Sequence, residues 1–270
     1  METLVNQDNF YDTTMQLIGN LAKIPIVRVN RSTFLSNKFS KSPHLAQILE
    51  EGPLSVHTAD EIKKMAMDVV NESTNKTSVV SFLSGLPSNP VTMVAAGGAD
   101  VVQYFGFALN MAQQISYLFG DAELFDDNIN TLSEDEKARI VALLAGMLGV
   151  AGASKLIMET SISAGKVIGK RIASKALTKT TTWYPLLKKV AAMLGKSITK
   201  KTVQNTITKA VPIIGGAMSG ALTYFTFRPM GNQLVSIYYK KVTGTLEETI
   251  QKETENNEEN PAQLIDGSIS

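Results

Sequence analysis

The chain has 270 residues, of which 44% are hydrophobic and 19% charged, and its formal net charge is +1. It contains no cysteine, which excludes disulfides, thiolate metal sites and cysteine nucleophiles. The charged share lies below the roughly 25% of an average soluble domain, so the surplus apolar surface belongs in a large core, a partner or a membrane.

Met1 to Asp8 carries two acids and no base, and no apolar run follows, so no secretory signal is expected. Residues 8–22 place Phe10, Thr14, Leu17, Ile18 and Leu21 at helical spacing, with Pro25 as the stop. Asn30 reads as the cap of a short helix through Phe34, Leu35 and Phe39. Residues 43–51 predict another, ended by Gly52 and Pro53. Thr58 and Glu61 form a capping-box pattern that opens a helix with Ile62, Met65, Ala66, Val69 and Val70 on one side. Residues 75–85 continue apolar, and 86–90 (LPSNP) is turn chemistry. A long apolar helix is expected over about 91–119, stopped by Gly120. Residues 121–132 read as an acidic loop, with Asp121, Glu123, Asp126 and Asp127 solvated at its surface. Ser133 and Glu136 make a second capping box, opening a helix from Glu134 to about Ile157. Basic amphipathic helices are expected over 161–178 and 186–203, broken around Trp183–Pro185. Pro212 opens a further apolar helix that Arg228-Pro229 ends or kinks, and a last helix covers about 230–242. The pattern reads as an all-α multi-helix bundle with a central pair of apolar, glycine-rich helices. It forms one domain over 1–243, followed by an acidic tail, 244–270, whose first half could extend the last helix and whose remainder has the composition of a disordered segment.

The small net charge hides an asymmetry. Lys155 to Lys209 contains twelve basic residues against Glu159 alone, and the tail from Gly244 contains seven acids against Lys252 alone. The basic stretch is either a solvated face or a surface that meets phosphate groups. Its candidate contacts with an anionic membrane are Lys166, Lys170, Arg171, Lys175, Lys188, Lys189, Lys196, Lys200 and Lys201. The flanking apolar runs, Ile140–Ile157 and Ala210–Phe227, fall short of the ~20 apolar residues of a spanning helix. Their small residues, including Gly146, Gly149, Gly152, Gly216 and Gly220, suit either close helix packing in a bundle or a hairpin that enters or lies in a bilayer, and the marginal lengths favour the bundle.

Within 91–119 the polar residues Asp100, Gln103, Asn110, Gln113 and Gln114 fall on one half of the helix, bordered by Tyr104 and Tyr117. The stripe lacks Lys, Arg and Glu, which fits a partly buried polar seam or a ligand-lined cleft better than an exposed face. Asp100 calls for a cation, and Arg228 is the candidate. As a binding site the stripe would use Asp100, Gln103, Tyr104, Asn110 and Arg228.

The two histidines, His44 and His57, have no acids spaced around them for a metal site. No nucleophile elbow, phosphate-binding loop or dinucleotide fingerprint is present. The basic helices have no interleaved aromatics beyond Trp183 and Tyr184, which argues against nucleic acid. Neither a catalytic residue nor a cofactor is expected.

Four blocks carry a family resemblance: VNRSTFLSNKF (29–39), ADVVQYFGFALNMAQQISYLFGDAELFDD (99–127), KALTKTTTWYPLLKKVAAMLGKSITKK (175–201) and VPIIGGAMSGALTYFTFRPM (211–230). Together they resemble the EcsC family as found in Firmicutes, over about residues 10–240. The family-like positions are Asp100, Gln103, Tyr104 and Phe105, then Pro212, Gly215, Gly216, Gly220, Tyr224, Arg228 and Pro229. The resemblance implies a bacterial helical protein, in some genomes encoded beside an ABC transporter operon, with no catalytic role for these positions. The expected function is non-enzymatic and peripheral, at the inner face of the cell membrane. It could be accessory to a transporter or envelope process and so have a membrane-protein partner. The alternative is a soluble domain that binds a small molecule or lipid along helix 91–119.

Overall fold

The computed structural model describes residues 18–19, 24–75, 99–126, 132–164, 186 and 218–251, with backbone alone at 26, 75, 99–105 and 218–226. Among these residues the secondary structure is helical, with one isolated bridge and no strand, in keeping with the all-α expectation. Residues 76–98, 127–131, 187–217 and 252–270 lie outside the described residues, and so do most of the first helix expected over 8–22 and nearly all of that expected over 161–178.

Local sequence signals set the helix starts. Helix α1 (Arg31–Lys38) begins where the Thr33 N–H donates to Asn30 Oδ1 at 2.8 Å. Helix α2 (Leu45–Glu51) stops at Gly52, ahead of Pro53. Helix α3 (Ala59–Asn75) opens on a reciprocal cap. The Glu61 N–H donates to Thr58 Oγ1 at 3.3 Å, and the Thr58 N–H donates to Glu61 Oε2 at 2.9 Å. Its buried face is Ile62, Ala66, Val69 and Val70, the spacing read from sequence.

Helix α4 (Ala99–Leu118) ends in a turn that requires a left-handed residue. Gly120 has φ +89°, its N–H donates to Tyr117 O at 3.1 Å, and the Asp121 N–H donates to Ser116 O at 3.0 Å. This pair of bonds satisfies carbonyls that the helix end leaves open. The same two-bond turn ends helix α5 (Glu134–Met147) at Gly149. The single helix expected from Glu134 to Ile157 is therefore two. Gly149 and Gly152 both adopt positive φ, and helix α6 (Ala153–Thr160) folds back on α5. After α6 the chain is extended at Ser161, so the basic helix expected from 161 does not begin there.

Helix α7 (Met218–Val242) runs through Pro229, so the helix does not end there and the last helix expected over about 230–242 is its continuation. Arg228 and Pro229 are exposed. Gly244 then ends α7. Residues 246–251 are again helical, with Leu246 buried.

Helix α7 packs against α3, α4 and α5. From Ala138 to Met147, α5 is buried on all sides, the condition of a helix at the centre of a core. Glycines allow the close approach. A Cβ on Gly146 would stand 2.7 Å from Ile157 Cδ1 and 3.1 Å from Leu234 Cδ1. One on Gly231 would stand 2.6 Å from Val70 Cγ2 and 3.2 Å from Met111 Sδ. Among the described residues no helix is long and apolar enough to cross a membrane.

Candidate functional site

The polar stripe of α4 is partly resolved. Gln113 is fully buried and spent on the backbone of the segment before α1. Its Nε2 donates to Val27 O at 2.8 Å and to Leu109 O at 2.9 Å, while its Oε1 accepts from the Val29 N–H at 3.1 Å. Gln114 Nε2 donates to the half-buried Asn110 at 2.6 Å. Asp100, Gln103 and Tyr104 lie on the backbone of α4, but their side chains fall outside the described residues, as does any pairing of Asp100 with the exposed Arg228. The candidate membrane-surface residues, Lys166 through Lys201, are likewise outside them. Leu186, within the basic stretch, packs 3.8 Å from where a Gly152 Cβ would stand.

The densest polar cluster lies in the acidic loop after α4. The sequence suggests solvation there, and the structure corrects this: Asp121 is 3% exposed. Tyr238 of α7 donates its hydroxyl to Asp121 Oδ2 at 2.5 Å. Ser161 Oγ donates to Asp121 Oδ1 and accepts from Lys241 Nζ, and Lys241 Nζ lies 3.3 Å from the same carboxylate oxygen. Burial first, then the Asp121 charge, pushes the Tyr238 phenol well above its ordinary value, so it remains a donor at neutral pH.

Two buried arginines close the other side of the loop. Arg139 of α5 donates to Ala122 O at 2.7 Å and to Glu123 O at 2.6 Å. Arg31 of α1 donates through Nε to Asp121 O at 2.9 Å and through Nη1 to Leu49 O at 2.8 Å. Its backbone N–H donates to Glu123 Oε2 at 2.9 Å. Burial lowers the Arg31 guanidinium from its ordinary value, and Glu123 is the main force opposing that. Burial also raises the Glu123 carboxyl, against the Arg31 N–H and the Tyr117 hydroxyl. Tyr117 is itself raised, by burial and then by Glu123, and its oxygen accepts from the Leu124 N–H at 3.0 Å. Glu136 completes the frame. It serves the cap of α5 and accepts from the Asp126 N–H at 2.9 Å.

Beside Asp121 lies a cavity of about 10 Å³, lined by Asp121, Arg139, Thr160, Ser161 and Tyr238 among others. That is the room of about one water molecule. Among the described residues no group of three or more His, Asp or Glu side chains is placed to hold a metal ion. His57 stacks on Phe39 at 5.2 Å and sits 3.8 Å from Glu61. The arrangement ties α1, α4, α5, α6 and α7 at one loop.

Sequence reasoning missed this cluster because its members lie 40 to 120 residues apart along the chain. The one local signal was Gly120, which fixes where Asp121 leaves the helix. Comparisons of the chain with protein-family models, with curated proteins and with solved structures find no match.

Proposed function

We propose that this chain is a non-enzymatic, membrane-associated helical protein of EcsC type, acting at the inner face of the cell membrane through its basic segment. The observation that carries this reading is the run from Lys155 to Lys209, twelve basic residues against one acid. Elsewhere the described residues show no such surplus. From 24 to 75 six bases meet six acids, and from 99 to 126 there are four acids and no base. Of the charges after α4, Asp121 is paired with Lys241 and Glu123 accepts from the Arg31 backbone N–H. Positive charge therefore concentrates in one stretch of the sequence, and a Lys or Arg near an anionic lipid surface contributes on the order of 1 kcal/mol. An accessory role beside a transporter follows from the family resemblance alone.

Vesicle flotation at low salt tests the reading. The chain is expected to float with phosphatidylglycerol vesicles and not with phosphatidylcholine vesicles. Replacing Lys188, Lys189, Lys200 and Lys201 by Gln is expected to weaken flotation strongly. Equal behaviour on the two vesicle types removes the proposal. The alternative, a ligand cleft along α4, gains nothing from Gln113, whose amide is consumed by backbone groups.

A further inference from the structure

The cavity beside Asp121 lies where α5, α6 and α7 meet the loop after α4. Its wall is apolar at Ala142, Leu143 and Ile157 and polar at Asp121, Arg139, Thr160, Ser161 and Tyr238. The polar part is mostly acceptor. Tyr238 and Ser161 spend their hydroxyl protons on Asp121, and Thr160 spends its own on Leu156 O at 2.8 Å. Their oxygens keep lone-pair capacity toward the cavity. Arg139 is the donor on this wall. Thr160 is 3% exposed, and its hydroxyl bond lies within α6, so its oxygen has no tie to another helix.

Charge and size together select the occupant. The Arg139 guanidinium on the wall and the Lys241 ammonium, 3.3 Å from Asp121 Oδ1, disfavour a cation. The Asp121 carboxylate and the three hydroxyl oxygens disfavour an anion. A volume of about 10 Å³ leaves room for a single non-hydrogen atom. A neutral molecule of that size that donates to oxygens and accepts from a guanidinium is water. We propose that this cavity is the binding site of one permanently held water molecule, which donates to oxygens of Asp121, Thr160, Ser161 or Tyr238 and accepts from Arg139. Such a water is a component of the fold: it gives Thr160 of α6 a polar tie to α5 and α7. The proposal is independent of the membrane reading above.

Two measurements on the full chain test it. A high-resolution crystal structure is expected to show a density peak in the cavity, within hydrogen-bond distance of at least two of its polar residues. A dry cavity overturns the proposal, and so does a peak whose anomalous signal marks it as an ion. In solution, oxygen-17 relaxation dispersion counts waters that exchange slowly with the bulk. Ala142 lines the apolar side and is 1% exposed, so the hydroxyl of Ala142→Ser would take the place of the water. That variant is expected to lose one slowly exchanging water relative to wild type, while hydrogen exchange at the Ala122 amide stays as slow as before. Thr160→Val keeps the side-chain shape but removes an acceptor, and should shorten the residence of the same water without removing it. Equal counts in wild type and Ala142→Ser overturn the site. Should Ala142→Ser fail to fold, Thr160→Val decides, since an unchanged residence time there overturns the site as well.

Discussion

Two regions hold this molecule together by opposite means. The loop after α4 is polar, and nearly every group in it has a named partner: Arg31 and Arg139 on its carbonyls, and Tyr238, Ser161 and Lys241 on Asp121. The contact of α7 with α3, α4 and α5 is apolar, and it depends on the absence of side chains at Gly146 and Gly231. The first is specified by donors and acceptors, so it fails when one partner is removed and the others remain buried. The second is specified by shape, so it fails when volume is added and recovers when volume is taken away elsewhere.

The largest effect should come from the polar side. Arg139→Met leaves the carbonyls of Ala122 and Glu123 without donors in a buried setting, and is expected to cost about 1–3 kcal/mol for each in urea unfolding. A loss below 1 kcal/mol would mean the loop does not depend on it. Next, Gly231→Ala should cost about 1–3 kcal/mol through overpacking against Val70. The pair Gly231→Ala with Val70→Ala should be less unstable than the two single losses added. Strict additivity would show that shape does not set this interface. A smaller change, about 1 kcal/mol, is expected for Ser133→Ala, which removes the oxygen that accepts from the Glu136 N–H; thermal melting is sufficient to see it.

The finest test uses pH. Burial raises the Glu123 carboxyl above its ordinary value of 4.5, so the folded chain holds that proton more tightly than the unfolded one. Its contribution to stability is fully present below the unfolded value and is lost as pH rises through the folded value. The stability of wild type relative to Glu123→Gln is therefore expected to decline as pH rises from 4.5. A relative stability that increases over that range would show that the bonds from Arg31 and Tyr117 outweigh burial.

The legible parts of the sequence were local. Asn30, Thr58, Ser133 and Gly120 each announce a helix end within a few residues, and each is found in that role. Gly149 was missed because it sits in an unbroken apolar run, where the helical pattern outweighs one glycine. Pro229 does not end its helix, which continues on both sides of it. The acids after Gly120 were misplaced for a different reason. Charge normally signals water, and only partners supplied by Ser161 after α6 and by Tyr238 and Lys241 of α7 reverse that rule for the Asp121 carboxylate. The side chains at the start of the α4 stripe and the basic residues from Lys166 onward lie outside the described residues.

The loop after α4 draws its partners from residues 31, 139, 161, 238 and 241, which nearly span the polypeptide. Such a junction cannot close during early synthesis, because its final contributor leaves the ribosome more than a hundred residues after Asp121 does. Until then Asp121 is an ordinary hydrated carboxylate on an unfinished chain. Loop-closure entropy has to be met before those distant contacts can reward it. Completion of this junction is therefore a late event in folding, and a chain halted before residue 238 would lack the donors that Tyr238 and Lys241 bring to Asp121.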